Sequence, residues 1–394
     1  MITGQFPPVM GGGGAIVYNL SKALMALKLK ETENVVIEKI VIVTTKDIDK
    51  NKYGEVQNFS IKIDRSILNQ YGILVKRINA SFSTKLFQIE QAIQEILNIV
   101  KKENINVIHA HHYMSIYIGS VIKESYGIPL VASSYKVPIF YSSQYERLIK
   151  SDPNYAIFNH LAKMNIDVWI GYSKAFTDEL KNKFQISPQK IKLVFPGIET
   201  SKFDSKNCIN NKTIISPGRL DPRKHYERII EAVGTYNQNH TSKKNITLTG
   251  IPTSKKESEY KKKLISEAKN QKVKLDFSPY KFNEVAKIYN SRYACILPSD
   301  REGLSLVMIE SLAYGCPLII SEQANQGDHI ISDGKNGLIF NPEANGDLAR
   351  RLEDLGNDEL RTKIIDGGKA TIKNKFDIDK FAMDNLKVYS DIIT

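Results

Sequence analysis

Short apolar runs, rich in β-branched residues, alternate along this chain with longer stretches whose apolar positions recur at helical spacing. Val35 to Thr45, Asn106 to Ala110, Pro129 to Ser133, Asp167 to Tyr172 and Ile191 to Phe195 read as strands, and Met1-Ile2-Thr3 as the end of another. Between them, Ile16, Leu20, Ala23, Leu24 and Leu27 share one side of a helix. Leu86, Ile89, Ile93, Ile96, Leu97 and Val100 form the apolar face of a second helix, Thr84 to Lys102. Ser173 is placed to cap the helix after Tyr172. Residues 46–82 show no clear motif. Val137 to Met164, rich in Tyr, Phe and Lys, reads as a pair of core helices, with an acceptor-side lid or a membrane-facing patch as the alternative.

Pro196-Gly197-Ile198-Glu199 and the polar stretch to Lys212 read as a linker, after which the alternation restarts. Strands are predicted at Thr213 to Ser216, Ile246 to Gly250, Val273 to Phe277, Tyr293 to Leu297, Leu318 to Ser321 and Leu338 to Phe340. Helices are predicted at Tyr226 to Val233, Lys255 to Lys269, Asn283 to Asn290, around Glu310, from Asp347 onward, and finally over Ile378 to Ile393. Two successive series of strand and helix predict an α/β protein of two domains.

Composition changes this picture little. With 42% hydrophobic and 25% charged residues among 394, the chain is ordinary for a globular protein. No apolar run approaches the ~20 residues of a membrane span, and the N-terminus lacks the pattern of a signal peptide. Cys208, Cys295 and Cys316 are far apart and without metal-ligand spacing, which reads as reduced thiols in a cytoplasmic protein. The net charge of +12 is spread along the chain, +7 over residues 1–200 and +5 over the rest. Most of it is accounted for by a Lys-rich surface. A phosphorylated substrate or peripheral contact with an anionic membrane remains compatible with it, whereas the stacking aromatics of a nucleic-acid module are missing.

Candidate chemistry lies at strand ends. The stretch Asp300 to Pro317 puts Glu302 on the loop after a strand and Glu310 eight residues on, inside a helix. Carboxylates there are acceptors for sugar or ribose hydroxyls. Gly303, Leu304, Ser305 and Leu306 complete the turn into that helix. Upstream, Gly218 and Arg219 end a strand and Lys224 stands at a helix start, a cationic pair suited to phosphate oxygens. In the first half, the glycine run that includes Gly11 and Gly12 sits between a strand and a helix, where backbone amides approach an anion closely. His109, His111 and His112 gather at a strand end. Their spacing does not suggest a metal site, and packing and acceptor contact are equally open for His109.

The frame around Glu302 and Glu310, through Ala313-Tyr314-Gly315-Cys316-Pro317, resembles the E-x7-E signature of retaining GT-B glycosyltransferases of family 4 type. Gly-Arg-Leu-x3-Lys at 218–224 resembles the family's diphosphate clamp, and the Pro-x-x-Gly-Gly stretch ending at Gly11-Gly12 its N-terminal glycine loop. The resemblance implies two Rossmann-like domains facing across a cleft: an acceptor domain over 1–195, a donor domain over 196–375, and a C-terminal helix, 376–394, packing back on the first. It implies transfer of a sugar, with retention, from a nucleotide-diphosphate sugar, UDP-linked in most relatives, with no cofactor and no metal. Arg219, Lys224 and Glu302 would be catalytic. Gly11, Gly12, Gly218, Tyr280, Gly303, Leu304, Ser305, Leu306 and Glu310 would bind the nucleotide sugar. His109, His111, His112 and Tyr135 would face the sugar and the acceptor, and many relatives carry a histidine where this chain has Tyr135. A glycan, lipid, peptide or small molecule could serve as acceptor. A nucleotide-sugar epimerase of the same fold and a non-catalytic partner subunit are the competing readings.

Overall fold

The computed structural model describes residues 1–3, 12–28, 37–45, 73–79, 86–134, 153–199, 212–280, 284–325 and 328–393. They form two compact α/β units. The first takes the described residues up to Gly197 together with those from Ile378 onward, and the second takes those from Ile198 to Asp377.

The first unit runs β1 (Ile2–Thr3), α1 (Gly12–Lys28), β2 (Ile40–Thr45), β3 (Ile73–Ile78), α2 (Leu86–Lys102), β4 (Ile108–His111), α3 (Tyr113–Tyr126), β5 (Leu130–Ser134), α4 (Pro153–Leu161), β6 (Val168–Gly171), α5 (Lys174–Asn182) and β7 (Ile191–Leu193). Its strands pair in parallel in the order β3-β2-β1-β4-β5-β6-β7. Helices cover both faces of such a sheet, so consecutive residues such as Val41, Ile42 and Val43 are all buried. On α2, Ile96, Leu97 and Val100 of the expected stripe are buried and Ile89 and Ile93 half-buried, Ala92 is buried beside them, and Gln94 and Asn98 face solvent. Ser173 caps α5 by accepting from the Phe176 amide at 3.1 Å. The aromatic centre of the core is Phe158 on α4, with Phe184 at 4.6 Å, Trp169 at 5.4 Å and Tyr113 at 5.8 Å between ring centroids.

The second unit runs β8 (Thr213–Ser216), α6 (Tyr226–Asn239), β9 (Asn245–Leu248), α7 (Lys255–Asn270), β10 (Leu275–Phe277), α8 (Val285–Tyr289), β11 (Ala294–Leu297), α9 (Leu306–Ala313), β12 (Leu318–Ser321), α10 (Glu322–Asn325), β13 (Leu338–Phe340), α11 (Asp347–Asp354) and α12 (Asp358–Lys375). Its parallel order is β10-β9-β8-β11-β12-β13. The last helix, α13 (Ile378–Ile393), leaves this unit and packs on α1 of the first. Its buried residues are Phe381, Ala382, Asn385, Leu386, Val388 and Tyr389.

Three elements depart from expectation. Strand β3 lies in the stretch that shows no motif in sequence. The strand expected from Val35 begins only at Ile40. Helix α3 follows the histidines directly and has no counterpart among the predicted elements. Among the described residues, no helix is long and apolar enough to cross a membrane.

Both sheets are doubly wound, and each reverses once. In the first unit β2 and β3 extend to one side of β1 while β4 opens the other; in the second, β9 and β10 extend to one side of β8 and β11 opens the other. Loops leaving the carboxyl ends of the strands at such a reversal diverge and leave a crevice that binds ligands. The loops after β1 and β4, and after β8 and β11, therefore border the two crevices.

Candidate functional site

In the second unit the loop after β8 carries Gly218, Arg219 and Lys224. Gly218 has φ +144°, and a Cβ there would stand 2.9 Å from the Tyr226 hydroxyl, so a side chain is excluded twice over. Its amide donates to Thr249 Oγ1 at 3.1 Å. Gly250 lies against the same loop: a Cβ on it would come within 2.7 Å of the Gly218 carbonyl oxygen and 2.9 Å of the Leu220 nitrogen. Two glycines on neighbouring strand-end loops thus let the backbones pack together and fix the path of residues 218–220.

Lys224 closes a 3-10 turn, Pro222–Lys224, that Asp221 caps; α6 itself begins only at Tyr226, so the expected helix-start position of Lys224 is corrected to the turn before it. The joint between them is His225, in the left-handed region at φ 50°. The Lys224 ammonium meets Glu302 Oε1 at 2.5 Å, with both side chains largely covered. Ser299 Oγ donates to the same carboxylate oxygen at 2.7 Å. Flanking this pair, Asp300 receives His225 Nε2 at 2.6 Å and Arg228 Nη1 at 2.7 Å. Arg228 also donates to the Pro298 carbonyl at 2.8 Å. The loop after β11 is therefore tied to the segment after β8 by one largely covered ion pair and a more exposed set beside it. Arg219 is not part of this knot. Its side chain is 62% exposed and lies 3.6 Å from Asp221, whose carboxyl is held down to about 2, chiefly by hydrogen bonds from Arg223. It is an exposed cation paired with Asp221 rather than part of the Lys224–Glu302 pair.

Gly303 is exposed, Leu304 half-buried and Ser305 buried as they turn into α9. Ser305 makes no side-chain cap, and the first turn from Leu306 holds no acidic residue, which leaves the opening of this helix compatible with an anion. One turn on, Glu310 keeps part of its surface open to solvent, but the protein packed around it strips most water from its carboxyl. That desolvation pushes it up to about 7, offset only in part by the Tyr289 hydroxyl, which donates to Oε2 at 2.7 Å. Tyr289 lies parallel to Tyr314 with ring centroids 5.5 Å apart, and Tyr280 also borders the carboxyl. Burial pushes the phenols of Tyr280 and Tyr289 above their ordinary value, and that of Tyr314 to about 12.

At the reversal of the first sheet the residues separate. His109 is enclosed: Nδ1 is 2.6 Å from Tyr389 Oη on α13 and Nε2 is 2.7 Å from Ser133 Oγ on β5. It and His111 are both buried, with ring centroids 4.0 Å apart, and desolvation holds each well below the ordinary histidine value. Of the two readings open for His109, its ring contacts fit the packing one: it joins β4 and β5 to the last helix. His112 alone of the three is exposed, at φ 77° where the chain enters α3. Gly12 opens α1, while Gly11 and Tyr135 lie outside the described residues.

Sequence spacing did not reveal Tyr289, Ser299, Asp221 or the His225–Asp300–Arg228 set. Only Ser299 and Asp300 carried a signal, as polar residues closing a strand beside Glu302. No group of histidines, cysteines and carboxylates suited to a metal occurs among the described residues.

A cation and two carboxylates on the strand-end loops of a doubly wound sheet are the layout of an α/β protein that binds a polar, anionic ligand. Comparison with known proteins sharpens this. The family model described as "Glycosyltransferase Family 4" matches residues 10–202, and the one described as "Glycosyl transferases group 1" matches residues 198–371. An uncharacterized glycosyltransferase of Methanocaldococcus jannaschii is 24% identical over 99% of this chain and 97% of its own. The N-acetylgalactosamine-N,N'-diacetylbacillosaminyl-diphospho-undecaprenol 4-alpha-N-acetylgalactosaminyltransferase of Campylobacter jejuni is 27% identical over 56% of this chain and 59% of its own. Among solved structures, Anabaena HepE in complex with UDP and glucose matches with a TM-score of 0.74 at 15% identity, covering 99% of this chain and 98% of its own. The chain belongs to the GT-B glycosyltransferases of family 4 type, and it is a glycosyltransferase.

Proposed function

We propose that this enzyme transfers a sugar from a UDP-sugar to a hydroxyl acceptor with retention at the anomeric carbon and without a metal ion. The observation that carries the reading is the Lys224–Glu302 pair, 2.5 Å apart beside Gly218 at the reversal of the second sheet. An ammonium poised there suits the negative charge that develops on a leaving diphosphate. Arg219, exposed at the rim, can swing from Asp221 onto the same phosphates, and its planar fork suits their oxygens. Two cations supply the charge neutralisation that a divalent ion provides elsewhere.

In this scheme the donor displaces Glu302 from Lys224. The ammonium turns to the phosphates and the carboxylate accepts hydroxyls of the transferred sugar. Glu310 accepts the ribose hydroxyls, Tyr280 borders the base, and residues 303–306 carry the start of α9 toward the diphosphate. The bond between the anomeric carbon and the phosphate oxygen breaks with its electrons leaving on the diphosphate. The acceptor oxygen bonds to the same face of that carbon, and its proton passes to a phosphate oxygen of the leaving group. UDP as nucleotide is supported by the HepE complex, and a lipid-linked acceptor by the name of the Campylobacter relative. A lipid-linked acceptor would place the enzyme at the inner face of a membrane as a peripheral protein.

The test is incubation with radiolabelled UDP-, GDP- and ADP-sugars, with and without EDTA, followed by NMR of the anomeric product. Transfer or hydrolysis of the UDP-sugar with retained configuration and no EDTA sensitivity is expected. Interconversion of the sugar while still on the nucleotide would indicate an epimerase, and binding without turnover a non-catalytic subunit.

A further inference from the structure

Among the described residues, no cation is paired with the Glu310 carboxylate, unlike Glu302 and Asp300. Lys224 serves Glu302, and the Arg228 guanidinium serves Asp300. Among the described residues, the Glu310 carboxyl receives a single hydrogen bond, from Tyr289 Oη to Oε2. Among the described residues, the phenols and thiol facing it are neutral at pH 7: Tyr280 after β10, Tyr289 on α8, Cys295 on β11 and Tyr314 at the end of α9; the Glu199 carboxylate acts on Tyr314 from further out. Tyr289 is itself fully buried and backed by the parallel ring of Tyr314, so its hydroxyl cannot be swung aside cheaply.

We propose that Tyr289 is a positioning residue for donor binding: its buried hydroxyl fixes the Glu310 carboxyl through Oε2, leaving Oε1 for the donor, and makes the charged form tenable in its desolvated recess. The inference rests on the reading of Glu310 as the ribose acceptor. Two consequences follow. Desolvation outweighs one hydrogen bond and pushes the Glu310 carboxyl up to about 7, so in the free enzyme its protonated and charged forms coexist near neutral pH. Donor binding needs the charged carboxylate as a full acceptor, so binding releases that proton and weakens as pH falls below about 7.

Removing the hydroxyl with Tyr289→Phe keeps the ring and its stacking. The variant is expected to bind nucleotide at least about tenfold more weakly at pH 7, equivalent to about 1.4 kcal/mol. The midpoint of its binding-versus-pH curve should lie higher than that of the wild type, and KM for donor should rise with far less change in kcat. A merely structural tyrosine would lower affinity without moving that midpoint. The experiment is calorimetric titration of wild type, Tyr289→Phe and Glu310→Gln with UDP, GDP and ADP from pH 5.5 to 8.5, in two buffers of different ionisation enthalpy so that released protons are counted. If no nucleotide binds the wild type, or if Glu310→Gln binds as tightly as wild type, the reading of Glu310 fails and the proposal falls with it. If Glu310→Gln binds weakly while Tyr289→Phe binds with wild-type affinity and an unmoved midpoint, the reading of Glu310 stands and the role of Tyr289 is overturned.

Discussion

Replacing Glu310 with glutamine should stabilise the ligand-free protein, and the size of the effect follows from the site. The carboxyl is held at about 7 instead of its ordinary 4.5 because burial disfavours its charge. At about 1.4 kcal/mol per pH unit this amounts to roughly 3 kcal/mol, and the partial solvent access of the side chain trims it to about 2 kcal/mol. The folded form binds the proton more tightly than the unfolded form. Stability is therefore full below about 4.5, falls as pH rises toward about 7, and is flat above that. Glutamine keeps the shape and an acceptor for Tyr289 but never has to ionise. For a unit of this size 1 kcal/mol corresponds to about 2–4 °C, so a gain of roughly 4–8 °C is expected at pH 8. At pH 5, where wild-type Glu310 is itself protonated, most of the gain should vanish. Scanning calorimetry of both proteins at the two pH values, without nucleotide, measures this directly. A difference in Tm that is zero at pH 8, or identical at both pH values, would refute the argument that burial strains this carboxyl.

Other outcomes can be checked with simpler assays. Lys224→Ala should lower kcat by about 10²–10³, with a smaller effect on donor affinity, and unchanged turnover would remove the lysine from the leaving-group role. Gly250→Ala drives a Cβ to within 2.7 Å of the Gly218 carbonyl and displaces residues 218–220, so donor KM should rise about tenfold or more; an unchanged KM would separate that loop from donor binding. His109 and His111 stay neutral in the fold, so below about pH 6.5 the unfolded chain takes up protons that the folded first unit refuses, and stability drops by up to about 1.4 kcal/mol per histidine per pH unit. Fluorescence of Trp169, the single tryptophan and buried in that unit, should show a lower urea midpoint at pH 5.5 than at pH 7.5, with the slope reduced in His109→Gln.

What could be read from the residues was the part that chemistry writes locally. The spacing from Glu302 to Glu310, and from Gly218 to Lys224, places charged groups on consecutive elements of one strand-loop-helix unit, and their order along the chain already implies a strand end. Partners set by the sheet were invisible. Lys224 and Glu302 are separated in sequence, and only the pairing of β8 with β11 brings them together. Tyr289 reaches Glu310 across the body of β11, so nothing near Glu310 in sequence announces its environment. Helix α3 escaped because its start is occupied by histidines and tyrosine, and its apolar residues Ile116, Ile118 and Ile122 are β-branched and favour strands in isolation. The buried state of His109 was likewise unreadable, since its partner Tyr389 lies at the far end of the chain.

That last contact has a consequence for how the protein is made. The second unit is drawn from one unbroken run, Ile198 to Asp377, among the described residues, and every strand of its sheet is translated before α13. All seven described strands of the first unit's sheet precede those of the second in the chain, yet that unit needs α13 to cover α1 and to receive His109. During vectorial synthesis the half that leaves the ribosome first is finished last, and until then it exposes an apolar strip shaped for Phe381, Leu386, Val388 and Tyr389, a natural handle for chaperones on the nascent chain.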